Sequence, residues 1–184
     1  MATDVMRHRV YLGLGSNLGE REENLRQACE KLTENGVAVL ECSPLYQTAP
    51  WGGVEQPDFL NAVLLAETEL APEELLMLVK RLEEEIGRRP TVFWGPRVID
   101  IDILLYEELT FDTEKLTIPH REIKNRVFVL LPLLRIAPGL VLPDGEAVAD
   151  CYARLPQAEK DGVVLYAEGQ EIWAKQAAAL QDEN

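Results

Sequence analysis

The sequence is poor in cysteine, histidine, basic charge and unbroken apolar runs. Its three cysteines, Cys29, Cys42 and Cys151, are scattered over 184 residues and odd in number. That pattern excludes a disulfide framework and zinc-ligand spacing and points to reduced thiols. Cys29 falls on an apolar helix face, where it reads as a small buried hydrophobe. No apolar run reaches the roughly 20 residues of a membrane-spanning helix, and MATDVMRHRV lacks the apolar core of a signal peptide. A cytoplasmic chain with no membrane partner is expected. Eighteen Lys and Arg stand against 32 Asp and Glu, a net charge of −14, which argues against nucleic acid as a partner. No internal repeat and no Gly- or Pro-rich linker divides the chain, and its length supports one domain with a real core.

What is present is a regular alternation of patterns. RVYLGLG (9–15) alternates like a strand. In REENLRQACEKLTENG, Leu25, Ala28, Cys29 and Leu32 recur at helical spacing, and Gly36 can end that helix. VAVLECSPLYQT (37–48) reads as a strand bent at Pro44, and FLNAVLLAETEL as another. APEELLMLVKRLEEEIGR reads as a second helix opening at Pro72 and closing at Gly87. Leu75, Val79, Leu82 and Ile86 form its apolar stripe, and Glu83 to Glu85 its solvated face. A further strand follows, VIDIDILLY. The order β-α-β-β-α-β predicts a ferredoxin-like α+β fold, a mostly antiparallel sheet with two helices on one face. TIPHREIKNRVFVLLPLLRIAPGL predicts a loop, a short turn and an apolar helix stopped by Pro138 and Gly139. The tail is less patterned and ends in a helix candidate, EIWAKQAAALQDEN. The expected division is a domain over 1–160, with C-terminal helical additions, and an extension over 161–184.

Two aspartates interrupt the last strand. Residues i and i+2 of a strand share a face, so Asp100 and Asp102 point together, flanked by Val98 and Leu104. Ile99, Ile101, Ile103 and Leu105 are expected to face a core. Burying two adjacent carboxylates is costly unless a cation or proton neutralises them. A divalent, oxygen-seeking ion such as Mg2+ would do so. A wet outer face is the plain alternative, although Asp is depleted in strands.

The neighbouring residues add to the metal reading. Between Arg88 and Arg126 there are seven basic and seven acidic residues, so the rest of the chain carries the whole −14. Arg88, Arg97, His120 and Arg126 fall in this segment, and arginine forks and imidazole N–H groups are suited to phosphate oxygens. With no Ser or Cys nucleophile beside a base, the set points to phosphoryl-type transfer, which rests on positioning and charge neutralisation. Taken singly, each Arg is more often a surface ion-pair partner in so acidic a chain. GLGSNLG (13–19) fits neither a dinucleotide fingerprint nor a P-loop, and reads as a strand-to-helix turn needing glycine. Phe59 and Asn61 share a strand face, and Phe128 lies near Arg126. A flat heterocycle could stack on the rings while an amide reads its edge. Taken alone, both phenylalanines read as core.

Together YLGLGSNLG, SPLYQTAPWG, QPDFLNAV, GRRPTVFWGPRVIDIDILLY and TIPHREIKNRVFVLLPL resemble the 6-hydroxymethyl-7,8-dihydropterin pyrophosphokinase family, over about residues 9 to 150. The resemblance implies transfer of pyrophosphate from ATP to the pterin hydroxymethyl, with release of AMP, in folate biosynthesis. It implies Asp100 and Asp102 as ligands of two Mg2+ ions, and Arg88 and Arg97 as catalytic phosphate clamps. It implies an ATP site with Glu83, Trp94, Ile103, Lys115, Thr117, His120 and Arg126. The pterin site implied comprises Thr48, Ala49, Trp51, Phe59, Asn61 and Phe128 beside Asp100. The chain departs from the family pattern at Phe59, Pro90, Phe93 and Lys115, where tyrosine or basic residues are common. A monofunctional monomer or weak dimer is expected. A pterin- or nucleotide-binding module without turnover, and another Mg2+-dependent phosphotransferase, remain as alternatives.

Overall fold

The computed structural model describes residues 5–50, 54–89 and 95–169. Trp51, Pro90, Phe93, Trp94 and the helix candidate at 171–184 lie outside the described residues. In chain order the elements begin with β1 (His8–Ser16), α1 (Arg21–Glu34), β2 (Val37–Cys42), β3 (Leu45–Thr48) and β4 (Phe59–Thr68). They continue with α2 (Pro72–Ile86), β5 (Asp100–Tyr106), β6 (Phe111–Asp112) and β7 (Thr117–Ile118). A 3-10 turn at Ile123–Asn125 leads into α3 (Val127–Ile136), α4 (Val148–Arg154), α5 (Gln157–Asp161) and β8 (Val163–Ala167).

The main sheet runs β5-β1-β4-β3-β8, with β2 also on β4, and its pairings are antiparallel. The expected bent strand over 37–48 is two strands. The break falls at Ser43 and Pro44, because Pro44 has no N–H to give to the ladder. Ser43 fills the gap: its N–H donates to the Val63 carbonyl at 2.9 Å, and its hydroxyl accepts from the Val63 N–H at 2.9 Å. β8 lies in the tail that the sequence left unpatterned. It is a short apolar run after Gly162 that pairs with β3 as an outer strand.

The sheet carries a core on each face. Leu12, Leu14, Ile101 and Ile103 pack against Leu25, Cys29 and Leu32 of α1 and Leu75, Val79 and Leu82 of α2. On the second face, Val63, Leu104 and Leu105 pack against Leu130 and Leu133 of α3 and Val148 and Cys151 of α4. Two helices on one face therefore describe α1 and α2 only. The second face is covered because α3, VFVLLPLLRI, is too apolar to leave in water. Leu105 also departs from expectation. Ile103 pairs with Leu12 but Leu105 pairs with Tyr11, an irregularity that inserts Leu104 as an extra residue. The insertion flips the side-chain parity, so Leu105 joins Leu104 on the second face and Tyr106 returns to the first. Cys29 is fully buried, as its helical position implied. No helix among the described residues is long and apolar enough to cross a membrane.

Candidate active site

Strand register builds the site. Gly15 of β1 stands between Asp100 of β5 and Asn61 of β4, and Gly13 stands between Asp102 and Val63. A row across the sheet thus reads carboxylate, glycine, amide. Adjacent strands are about 4.8 Å apart, so the carboxylate and amide ends stand roughly 10 Å apart. The bare glycines leave a floor between them. A Cβ on Gly15 would sit 3.3 Å from Asn61 Oδ1, and one on Gly13 would sit 3.5 Å from Leu104. These two glycines lie in β1, so the turn reading of GLGSNLG holds only for Gly19, at φ 73°. Above this floor is a cavity of about 590 Å3.

The charged end is crowded with cations. Asp100 accepts from Arg97 Nη1 at 2.7 Å on Oδ2 and pairs with Arg88 Nη2 at 3.2 Å on Oδ1. Lys80, His120 and Arg126 also line this end. Burial first, and the Asp100 charge second, raise the Asp102 carboxyl above the ordinary Asp range, against the pull of His120, Arg126 and Lys80. Burial pushes His120 below the ordinary His range although Asp102 pulls the other way. His120 Nδ1 accepts the Glu122 N–H at 3.1 Å, which leaves its proton on Nε2.

Two adjacent carboxylates are a hard-oxygen donor set that suits Mg2+. Among the described residues no group of three or more His, Cys, Asp or Glu could hold a metal ion. An ion on Asp100 and Asp102 would therefore fill its remaining positions with water and phosphate oxygens, the usual habit of Mg2+.

The other end is flat and polar at its edge. Phe59 and Phe128 both line the cavity and are only half-buried, so neither is plain core. The Arg126 guanidinium stands 5.6 Å from the centre of the Phe128 ring. Asn61 is buried, and its Nδ2 donates to Thr48 Oγ1 at 2.8 Å. That bond fixes the amide, leaving Oδ1 to accept and the Thr48 hydroxyl hydrogen to donate. Ala49 lines the same end.

Not every expected residue reaches the cavity. Ile103 is in the first core, on the face opposite Asp102. Lys115 is exposed, Thr117 bonds Asp112 at 3.1 Å, and neither is in the lining. Glu83 is 1% exposed, which corrects its reading as part of a solvated face; Glu84 and Glu85 are exposed. The helical stripe placed Glu83 beside Leu82, and Arg88 arrives from the loop to pair with it. Burial raises its carboxyl above the ordinary Glu range. Two contributors went unread in the sequence. Lys80 lines the cavity from α2, and Asn17, 1% exposed, bonds the backbone of Arg97. Lys80 lies three residues before Glu83, a helical ion-pair spacing that could have marked it.

Comparison with known proteins identifies the family of the chain. The family model for 7,8-dihydro-6-hydroxymethylpterin-pyrophosphokinase matches residues 11–138. A Methylorubrum extorquens protein named 2-amino-4-hydroxy-6-hydroxymethyldihydropteridine pyrophosphokinase is 46% identical over 148 residues, covering 80% of this chain and 93% of that protein. A Bacillus subtilis protein of the same name is 44% identical over 159 residues, covering 86% and 95%. Among solved structures, an HPPK-DHPS chain of Plasmodium falciparum aligns with a TM-score of 0.64 at 16% identity. That alignment covers 83% of this chain and 46% of the Plasmodium chain, so this chain spans less than half of it, and the likeness is one of fold. The chain belongs to the 7,8-dihydro-6-hydroxymethylpterin-pyrophosphokinase family.

Proposed function

We propose that this chain transfers the pyrophosphoryl group of ATP to the hydroxymethyl group of 6-hydroxymethyl-7,8-dihydropterin, releasing AMP, as a step of folate biosynthesis. The observation that carries the proposal is the row Asp100–Gly15–Asn61 across three strands. It puts a cation-rich anion site and an aromatic, amide-edged slot in one cavity with a flat floor between them.

The pterin lies at the Thr48, Asn61, Phe59 and Phe128 end. Asn61 Oδ1 accepts from ring N–H groups, and the two phenyl rings stack on the bicycle. Ala49 lines this end, and the family resemblance assigns Trp51 to the pterin site with it. The hydroxymethyl then points along the floor towards Asp100. The triphosphate lies at the other end, where Arg88, Arg97, His120 and Arg126 donate to its oxygens. The family resemblance assigns Glu83, Trp94, Ile103, Lys115 and Thr117 to the nucleotide as well, but Glu83, Ile103, Lys115 and Thr117 stand outside the cavity lining. Two Mg2+ ions held by Asp100 and Asp102 would supply charge neutralisation for the triphosphate. The hydroxymethyl oxygen gives up its proton to water and forms a bond to the β-phosphorus, the bond from that phosphorus to the α,β-bridging oxygen breaks, and AMP leaves. The residues act by alignment and charge, so no strong general base is required of them.

The strand order β5-β1-β4-β2/β3, with α1 and α2 on one face, supports a ferredoxin-like reading of the α+β fold. Residues 1–160 form the catalytic domain in this account. Pairing of β8 with β3 supports packing of the start of the 161–184 extension on it.

Separate binding measurements test the two-ended cavity. Calorimetry with the pterin and with a non-hydrolysable ATP analogue should show Asn61→Ala weakening the pterin and sparing the nucleotide. Arg97→Ala should do the reverse. Equal losses of both ligands in both variants would contradict the assignment.

A further inference from the structure

Glu83 carries its charge where a charge is costly. It is the only charged side chain among the buried polar residues described, and it stands outside the cavity lining. Two cations hold it there. Lys80 Nζ lies 3.4 Å from Oε1, and Arg88 Nη1 is ion-paired with Oε2. Both cations line the cavity. The backbone repeats the link: the Arg88 N–H donates to the Glu83 carbonyl at 2.9 Å, across Gly87 at φ 129°. Arg88 is thus tied to the end of α2 through both its main chain and its guanidinium.

The same guanidinium has a second partner, Asp100 at 3.2 Å, whose other oxygen is occupied by Arg97. A carboxylate engaged on both oxygens by guanidinium groups has little left for a divalent cation. Asp100 must shed arginine contacts to take one. Arg88 then needs another anchor to stay at the cavity wall, and Glu83 supplies it from a buried position outside the cavity lining.

We propose that Glu83 is a positioning residue for Arg88, keeping its guanidinium at the cavity wall while Asp100 exchanges its arginine partners for a divalent cation. This rests on the proposed function in taking Asp100 as a metal ligand. A Glu83 that merely stabilised the end of α2 would leave ligand binding unchanged in folded protein.

The test uses the full chain, Mn2+ as probe, and α,β-methylene ATP. Free Mn2+ is followed by electron paramagnetic resonance, and folding by thermal melting. In Glu83→Gln, matched in size, half-saturation by Mn2+ in the presence of the nucleotide should rise roughly fivefold or more, the lower end of ordinary coupling between sites. In an Arg88→Ala background the same substitution should change binding less than about twofold, since coupled residues are non-additive. Wild-type affinity in folded Glu83→Gln overturns the proposal, as does an undiminished effect in the Arg88→Ala background. If Glu83→Gln does not fold, Glu83→Asp, which keeps the charge but withdraws it from Arg88 by one methylene, carries the same expectations. Failure of the wild-type chain to bind Mn2+ with the nucleotide overturns this inference and the proposed function together.

Discussion

Asn17 and Arg97 are bonded twice across 80 residues of sequence: Asn17 Oδ1 accepts the Arg97 N–H at 2.8 Å, and the Asn17 N–H donates to the Arg97 carbonyl at 3.1 Å. Asn17 Nδ2 also donates to Gln56 Oε1 at 2.8 Å and to the Pro57 carbonyl at 2.9 Å. One amide therefore joins the end of β1, the approach to β4 and the approach to β5. It fixes the backbone from which Arg97 reaches Asp100. Asn17→Ala strands the Arg97 N–H and is expected to cost about 1–3 kcal/mol of stability, read by urea denaturation. It should also raise the KM for ATP more than that for the pterin. An unchanged midpoint in urea would contradict the linking role.

Asp100 and Asp102 line the cavity, on the sheet face opposite the first core. Asp100→Ala and Asp102→Ala should each lower kcat by orders of magnitude while the near-ultraviolet dichroism of the folded chain is retained. Turnover near the wild-type rate in either variant would remove the metal-ligand role of that residue.

The raised pKa of Asp102 has a consequence for stability in metal-free protein. A carboxyl raised above its unfolded value favours folding while it is protonated, and that contribution is lost as pH rises through the folded pKa. Wild-type stability in EDTA, relative to Asp102→Asn, should therefore decline from acid towards neutral pH. Paired urea titrations across that range check the sign. A wild-type advantage that grew with pH would mean that the cations around Asp102 outweigh burial.

Gly15 keeps the floor flat. Gly15→Ala puts a methyl 3.3 Å from Asn61 Oδ1 and 3.7 Å from the Phe59 ring. Overpacking of this kind costs about 1–3 kcal/mol. The loss should appear in pterin affinity by calorimetry, with nucleotide affinity near the wild-type value. A variant that binds pterin as the wild type does would mean that the ring does not use this floor.

Periodic features were legible in the sequence because local spacing sets them. The stripe Leu25, Ala28, Cys29, Leu32 gave α1, and the i, i+2 relation placed Asp100 and Asp102 together. Features set by distant partners were not. Glu83 falls in an acidic run that reads as solvated, although it lies four residues after Val79 on the buried stripe, and its pairing with Arg88 beyond the helix end shows what holds its charge there. Asn17 looks like a turn residue until Arg97 is placed beside it. β8 owes its strand to pairing with β3, which no pattern in the tail foretold. The flipped Leu105 follows from an inserted residue that strict alternation cannot anticipate.

The most direct test of the central claim is the identity of the products. The chain is incubated with ATP, Mg2+ and 6-hydroxymethyl-7,8-dihydropterin, and the nucleotides and pterins are resolved by chromatography. AMP and pterin diphosphate should form together in equal amounts, and only when the pterin is present. ADP with a pterin monophosphate, or tight pterin binding without turnover, would contradict it.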